Sequence, residues 1–159
     1  MTDHLVHRLE PYADHLTFVI SDAEATEGHC IAVGTARYDF VPVTLTVQTT
    51  RAAAAPLYAF DHVVEADITL PSGKLATTGA TQLPDEVEPL HLPAGLYGAR
   101  ICYAQTDQRP AKSNLEDFGD YLEYLVTMWP TDEDHGVEVL EQGPLALGVL
   151  IRTDRVSQA

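Results

Sequence analysis

His62-Val63-Val64-Glu65-Ala66-Asp67-Ile68-Thr69-Leu70 sets apolar side chains at Val64, Ala66, Ile68 and Leu70 and polar ones at Glu65, Asp67 and Thr69 between them. Successive side chains of an extended chain point to opposite faces, so this spacing buries one face of a strand and wets the other. Pro71-Ser72-Gly73 follows with the residues of a tight turn, which ends the strand. The same alternation recurs on both sides of this segment. Val41, Val43, Leu45 and Val47 alternate with Pro42, Thr44 and Thr46, and across Leu96 to Ala104 the apolar set Tyr97, Ala99, Ile101 and Tyr103 alternates with Gly98, Arg100 and Cys102. In Tyr121 to Trp129, Leu122, Tyr124, Val126 and Met128 point one way and Tyr121, Glu123, Leu125, Thr127 and Trp129 the other. Large residues on both faces predict a central strand covered on both sides.

Shorter candidates are Leu5 to Leu9, Leu16 to Ser21, Cys30 to Ala36, Lys74 to Thr78, Glu88 to Leu92 and Leu145 to Arg152, separated by the turn signals Glu27-Gly28, Pro93-Ala94-Gly95 and Gln142-Gly143-Pro144. Eight or more short strands at this spacing predict an all-β fold, an antiparallel β-sandwich with little helix. Pro56 interrupts the alanine-rich stretch Arg51 to Phe60, which limits it to a helical turn or a loop, and Asn114 to Asp120 could cap a second short turn. With 159 residues, 45% of them apolar, the chain is expected to form one domain over residues 1–159, with a frayed tail from Asp154 to Ala159.

The charge is strongly one-sided: 24 acidic against 9 basic residues, a formal net charge of −15. Direct binding to nucleic acid needs clustered Lys and Arg and is not expected. The imbalance is also local. Between Ser113 and Ile151 there is no Lys or Arg, while Glu116, Asp117, Asp120, Glu123, Asp132, Glu133, Asp134, Glu138 and Glu141 accumulate. Such a stretch serves solubility, and it also offers a surface to a basic protein partner. No run of about 18 apolar residues suggests a membrane span, and the opening segment has acids and histidines where a secretory signal needs a basic end and an apolar centre. A cytoplasmic location and no membrane partner are expected.

Cys30 and Cys102 stand far apart with no Cys-x-x-Cys, which points to reduced thiols in or near the core. His4 and His7 would share one face of a helix but lie on opposite faces of the strand predicted there. Asp132-Glu133-Asp134-His135-Gly136 resembles the start of a calcium loop, yet its glycine comes one position early and Gly143 stands where the closing Glu is needed, so it reads as an acidic hairpin tip. The serines Ser21, Ser72, Ser113 and Ser157 sit in no Gly-x-Ser-x-Gly turn, and no glycine-rich phosphate loop precedes a helix. Neither a catalytic residue, a metal nor a cofactor is expected. Tyr121, Tyr124 and Trp129 flank the acidic run and suit either a core or an interface anchor.

Three segments carry a resemblance: His62 to Gly73, Leu92-Pro-Ala-Gly-Leu-Tyr-Gly-Ala-Arg-Ile-Cys-Tyr103, and Asp120-Tyr-Leu-Glu-Tyr-Leu-Val-Thr-Met-Trp-Pro130. Together they resemble a family of uncharacterised bacterial β-sandwich proteins, which is distantly similar in turn to competence protein J, an inhibitor of a nuclease of DNA uptake. The match spans residues 62–130 and assigns no functional residue. It implies a small non-enzymatic inhibitor or immunity-type protein, and a nuclease with its basic groove is the kind of partner an acidic surface fits. The expected binding surface is therefore Glu116, Asp117, Asp120, Glu123, Asp132, Glu133, Asp134 and Glu138. Two alternatives stand beside it. A small-ligand or carbohydrate-binding sandwich would need a pocket lined by Tyr97, Tyr103, Tyr124 or Trp129 with converging carboxylates, and a structural subunit would belong to a larger assembly.

Overall fold

A computed structural model of the chain describes residues 5–13, 17–24, 29–35, 41–51, 62–105, 122–133, 136–141 and 151–155. Eleven strands account for most of them: β1 (Leu5–Leu9), β2 (Thr17–Asp22), β3 (His29–Gly34), β4 (Val43–Val47), β5 (His62–Leu70), β6 (Lys74–Gly79), β7 (Leu90–His91), β8 (Gly95–Gln105), β9 (Leu122–Pro130), β10 (Glu138–Glu141) and β11 (Ile151–Arg155). The fold is all-β, as the alternation predicts. A single 3-10 turn, Pro84–Glu86, is the one helical element among the described residues. The stretches 52–60 and 114–120, expected to form short turns, lie outside the described residues.

The strands form a six-stranded sheet in the order β1-β4-β9-β8-β5-β10 and a five-stranded sheet in the order β11-β3-β2-β6-β7. Pairing is antiparallel except between β4 and β9, which run parallel, Val43 opposite Tyr124 and Val47 opposite Met128. This departs from a purely antiparallel expectation. A parallel pair cannot be closed by a tight turn, and the long separation of β4 and β9 along the chain meets that requirement.

Both sheets feed one core. Phe18, Ile20, Ile31, Val33 and Leu75 from the smaller sheet join Leu45, Ile68, Ile101, Val126 and Met128 from the larger one, all buried. Tyr124 is the hinge of this packing. Its ring meets Phe18 of the other sheet edge-on at 5.4 Å between centroids and its neighbour Tyr103 at 5.0 Å, contacts worth about 0.5–1.5 kcal/mol each beyond the area they bury. The Tyr103 hydroxyl donates to the Gly34 carbonyl at 2.9 Å, tying β8 to the end of β3.

The chain passes from one sheet to the other at Pro71–Gly73, and a carboxylate fastens the passage. Asp22, buried at the end of β2, accepts from the Ser72 amide at 2.8 Å, the Ser72 hydroxyl at 2.6 Å and the Glu24 amide at 2.9 Å. Gly73 has φ +74°, and a Cβ there would lie 2.1 Å from the Leu92 carbonyl oxygen. Only glycine fits this position.

Two boundaries differ from expectation. Asp154 and Arg155, assigned to a frayed tail, belong to β11 and pair with Cys30 and His29. The segment after β9 does not turn back as a hairpin: β10 pairs with β5 at the far edge of the sheet, with β8 and β5 between it and β9.

Candidate functional site

The placement of β10 beside β5 shapes the outer face of the six-stranded sheet, the side turned away from the shared core. Alternation puts Glu65 and Asp67 of β5, Gly98, Arg100 and Cys102 of β8, and Glu123, Leu125, Thr127 and Trp129 of β9 on this face. Register then arranges them in rows. Asp67, Gly98 and Trp129 are consecutive across the strands, and so are Glu138, Glu65, Arg100 and Thr127.

Gly98 makes the first row possible. A Cβ at that position would meet Trp129 Cε2 at 2.6 Å, so the indole lies directly over the glycine. Trp129 is thereby only 7% exposed, although it is no part of the shared core. The two readings of the aromatic cluster are thus divided between residues: Tyr124 is core, Trp129 is buried on the opposite face, and Tyr121 lies outside the described residues. Coverage of β9 on both sides holds at Trp129, while Glu123, Leu125 and Thr127 are partly exposed.

The second row sets Glu138 opposite Glu65, a like-charge pairing that would repel. Two arginines offset it at Glu65. Arg100, nearly buried, reaches Glu65 Oε2 through Nε at 2.8 Å and Nη2 at 2.6 Å, and Arg51, well exposed, reaches Oε1 at 2.7 Å. This largely shielded carboxylate is held from both sides, and removing the Glu65 or the Arg100 charge would strand the other. Burial pushes the Cys102 thiol beside this pair up to about 11, against the lowering pull of Arg100 and with a further push from Glu65. Burial likewise raises the Tyr103 and Tyr97 hydroxyls above the usual tyrosine range, with Tyr124 adding to the rise at Tyr103.

The Gly136 amide donates to Asp67 Oδ2 at 2.9 Å, which holds the residue two positions before β10 against β5. The result is a groove of about 260 Å³ lined by Trp129, Arg51, Glu65, Asp67, Asp132 and Glu138 among others. Among the described residues no three His, Cys, Asp or Glu side chains are gathered closely enough to hold a metal ion.

The expected acidic surface is placed as follows. Asp132, Glu133 and Glu138 are exposed at this end of the sheet, and Asp132 and Glu138 share the groove. Glu123 sits near the start of β9, about 20 Å or more away at the usual rise per residue of a strand. Glu116, Asp117, Asp120 and Asp134 lie outside the described residues. Sequence reading missed Glu65, Asp67, Arg51 and Arg100 as partners of the acidic run. The alternation that assigns Glu65 and Asp67 to the polar face was legible, but only the pairing of β10 with β5 brings Glu138 beside them and Asp132 into the same groove.

A larger hollow of about 780 Å³ lies elsewhere, lined by Leu9, Tyr12, Leu75, Val87 and Leu90 with Glu10 and Glu88. Tyr97, Tyr103 and Tyr124, proposed as pocket walls for a small ligand, are instead packed within the core.

Fold and face together define an all-β protein of two sheets with a charged groove on the outer side of the larger one. Two solved structures share that fold. The protein of crocagin biosynthetic gene J matches with a TM-score of 0.53 and 14% identity, over 82% of this chain and 98% of that one. ComJ from Bacillus subtilis, an inhibitor of the DNA degrading activity of NucA, matches with a TM-score of 0.57 and 11% identity, over 82% of this chain and 99% of its own. At these identities the likeness is one of fold, and it bears out the resemblance to competence protein J at that level. No protein-family model matches the chain, and no curated protein matches it in sequence. Among the described residues no helix is long and apolar enough to cross a membrane.

Proposed function

We propose that the chain is a non-enzymatic acidic binding protein, an inhibitor or immunity-type protein that neutralises a nuclease or toxin carrying a basic site. The observation that carries this reading is the fold shared along nearly the whole length of ComJ, itself an inhibitor of a DNA-degrading activity. The charge supports it independently. A net charge of −15 and the base-free stretch from Ser113 to Ile151 suit a basic partner, such as a phosphate-binding groove. Asp132, Glu133 and Glu138, all exposed, are the assigned residues that the described structure brings to one end of the sheet. Glu116, Asp117, Asp120, Glu123 and Asp134 complete the assignment, with Glu123 as a separate contact at the other end of β9. The setting is cytoplasmic, where a cell would need protection from its own nuclease or toxin.

The reading is tested by capturing partners on the immobilised chain at low and high salt and assaying the retained protein for nuclease activity with and without the free chain. A basic protein held at low salt, released at high salt and inhibited by the chain is the expected result. Reversing Asp132, Glu133 and Glu138 to Lys should slow its association at least tenfold with a smaller effect on dissociation. Retention of no basic protein at low salt would remove the proposal.

A further inference from the structure

The acidic residues of the groove do not by themselves make a site, but the groove has a second feature that points outward. Trp129 is 93% buried by its 7% exposure, yet among the described residues its indole N–H has no hydrogen-bond acceptor. It is not sealed off either, because among the described residues the buried side-chain polar atom without a partner is Ser21 Oγ. A donor held rigidly over Gly98, lining a groove and lacking an acceptor, is available to an acceptor from outside. Beside it, the exposed side chains of Asp132 and Glu138 are acceptors with no partner among the described residues.

The groove also shows which cation it accommodates. Arg51 projects its exposed guanidinium into it, onto Glu65 at 2.7 Å. Because Arg51 and Arg100 are both committed to Glu65, neither neutralises Asp132 or Glu138. One guanidinium is thus already in place, and around the remaining space stand two carboxylates and an indole N–H with no partner among the described residues.

We propose that this groove is the anchor point for an arginine side chain from an extended segment of the basic partner, its guanidinium on Asp132 and Glu138 and a peptide carbonyl of the same segment accepting from the Trp129 N–H. This rests on the reading of the chain as a binder of a basic protein and names the recognition element of that contact. A guanidinium fits better than an ammonium: it is planar, gives paired donors to two carboxylates and stacks against an indole or a second guanidinium, whereas an ammonium is a strongly hydrated point charge. A desolvated Arg beside Trp is the composition of an interface hot spot.

Trp129 is the chain's single tryptophan, so its emission reports on this groove alone. The test titrates the full chain with the capped peptide Gly-Arg-Gly-Arg-Gly and with its Lys and Glu counterparts. The Arg peptide should change the emission saturably, the Lys peptide should bind at least threefold more weakly, and the Glu peptide should not bind. Asp132→Asn with Glu138→Gln should weaken Arg-peptide binding tenfold or more at little cost to the fold, since both side chains are exposed and have no partner among the described residues. Trp129→Phe, followed by calorimetry, should weaken it several-fold with the ring retained. Equal binding of the Glu peptide, no binding of the Arg peptide, or an unchanged constant for the double variant would overturn the assignment. The two readings fail separately. A captured basic protein whose affinity ignores the double variant leaves the inhibitor reading standing and removes the groove, while Arg-peptide binding with no basic protein captured does the reverse.

Discussion

Cys102 shows how a single side chain registers the electrostatics of the outer face. It is nearly buried next to the Glu65 and Arg100 pair, and burial raises its pKa from 9.0 to about 11. The folded chain therefore holds this proton more tightly than the unfolded one, so the stabilisation is complete below the unfolded value and is lost as pH rises through the folded one. A shift of this size corresponds to something on the order of 2 kcal/mol. The urea midpoint should therefore fall between pH 9.0 and about 11, and Cys102→Ala should make that fall shallower. An identical decline in the variant would show that other groups, such as the buried Tyr103, account for all of it. From the sequence Cys102 reads as a reduced thiol in or near the core, and it is buried on the outer face. What could not be read was the pair beside it, because Glu65 and Arg100 are 35 positions apart and meet only through the β5–β8 register.

At the scale of elements, strands with strict alternation were the legible ones. β1 and β5 fall where the apolar periodicity places them, and β8 and β9 differ from it by a residue at either end. β10 was missed as a strand because Glu138-Val-Leu-Glu141 is short and its pattern is not period two; its partner β5 supplies the pairing that its own sequence does not announce. Two glutamates on an edge strand also discourage pairing with another chain. The turn at Pro71–Gly73 was legible from its residues, while its fastening by Asp22 was not. Gly73→Ala tests that turn. A Cβ at φ +74°, 2.1 Å from the Leu92 carbonyl oxygen, needs the backbone itself to move, and a cost of roughly 2–4 kcal/mol is expected from strain and displacement together. Urea unfolding of the variant measures it, and a loss below about 0.5 kcal/mol would mean that the turn relaxes freely.

For the molecule as a whole, charge opposes compactness. A formal charge of −15 repels itself across the folded surface, whereas the Glu65 cluster is largely buried and less exposed to screening. Added salt should therefore stabilise the chain. Raising NaCl from about 10 mM to 150 mM shortens the Debye length from about 30 Å to 8 Å, and Tm should rise by a few degrees; a fall would mean that attractive surface pairs outweigh the repulsion. Composition made this charge legible from the start, and the base-free stretch marked where it concentrates. The sequence alone could not show that Asp132 and Glu138 share one groove while Glu123 stands apart, since that depends on the length of β9 and the pairing of β10 with β5.

The parallel contact between β4 and β9 also carries a consequence for biogenesis. As the chain emerges from the ribosome, β4 can acquire its β1 neighbour early, but its other edge stays open until residues 122–130 have been made. During that interval Val43, Leu45 and Val47, fully enclosed at the end, have no lasting cover. Contacts of such high sequence separation form late and slowly, leaving an adhesive intermediate for chaperones to shield.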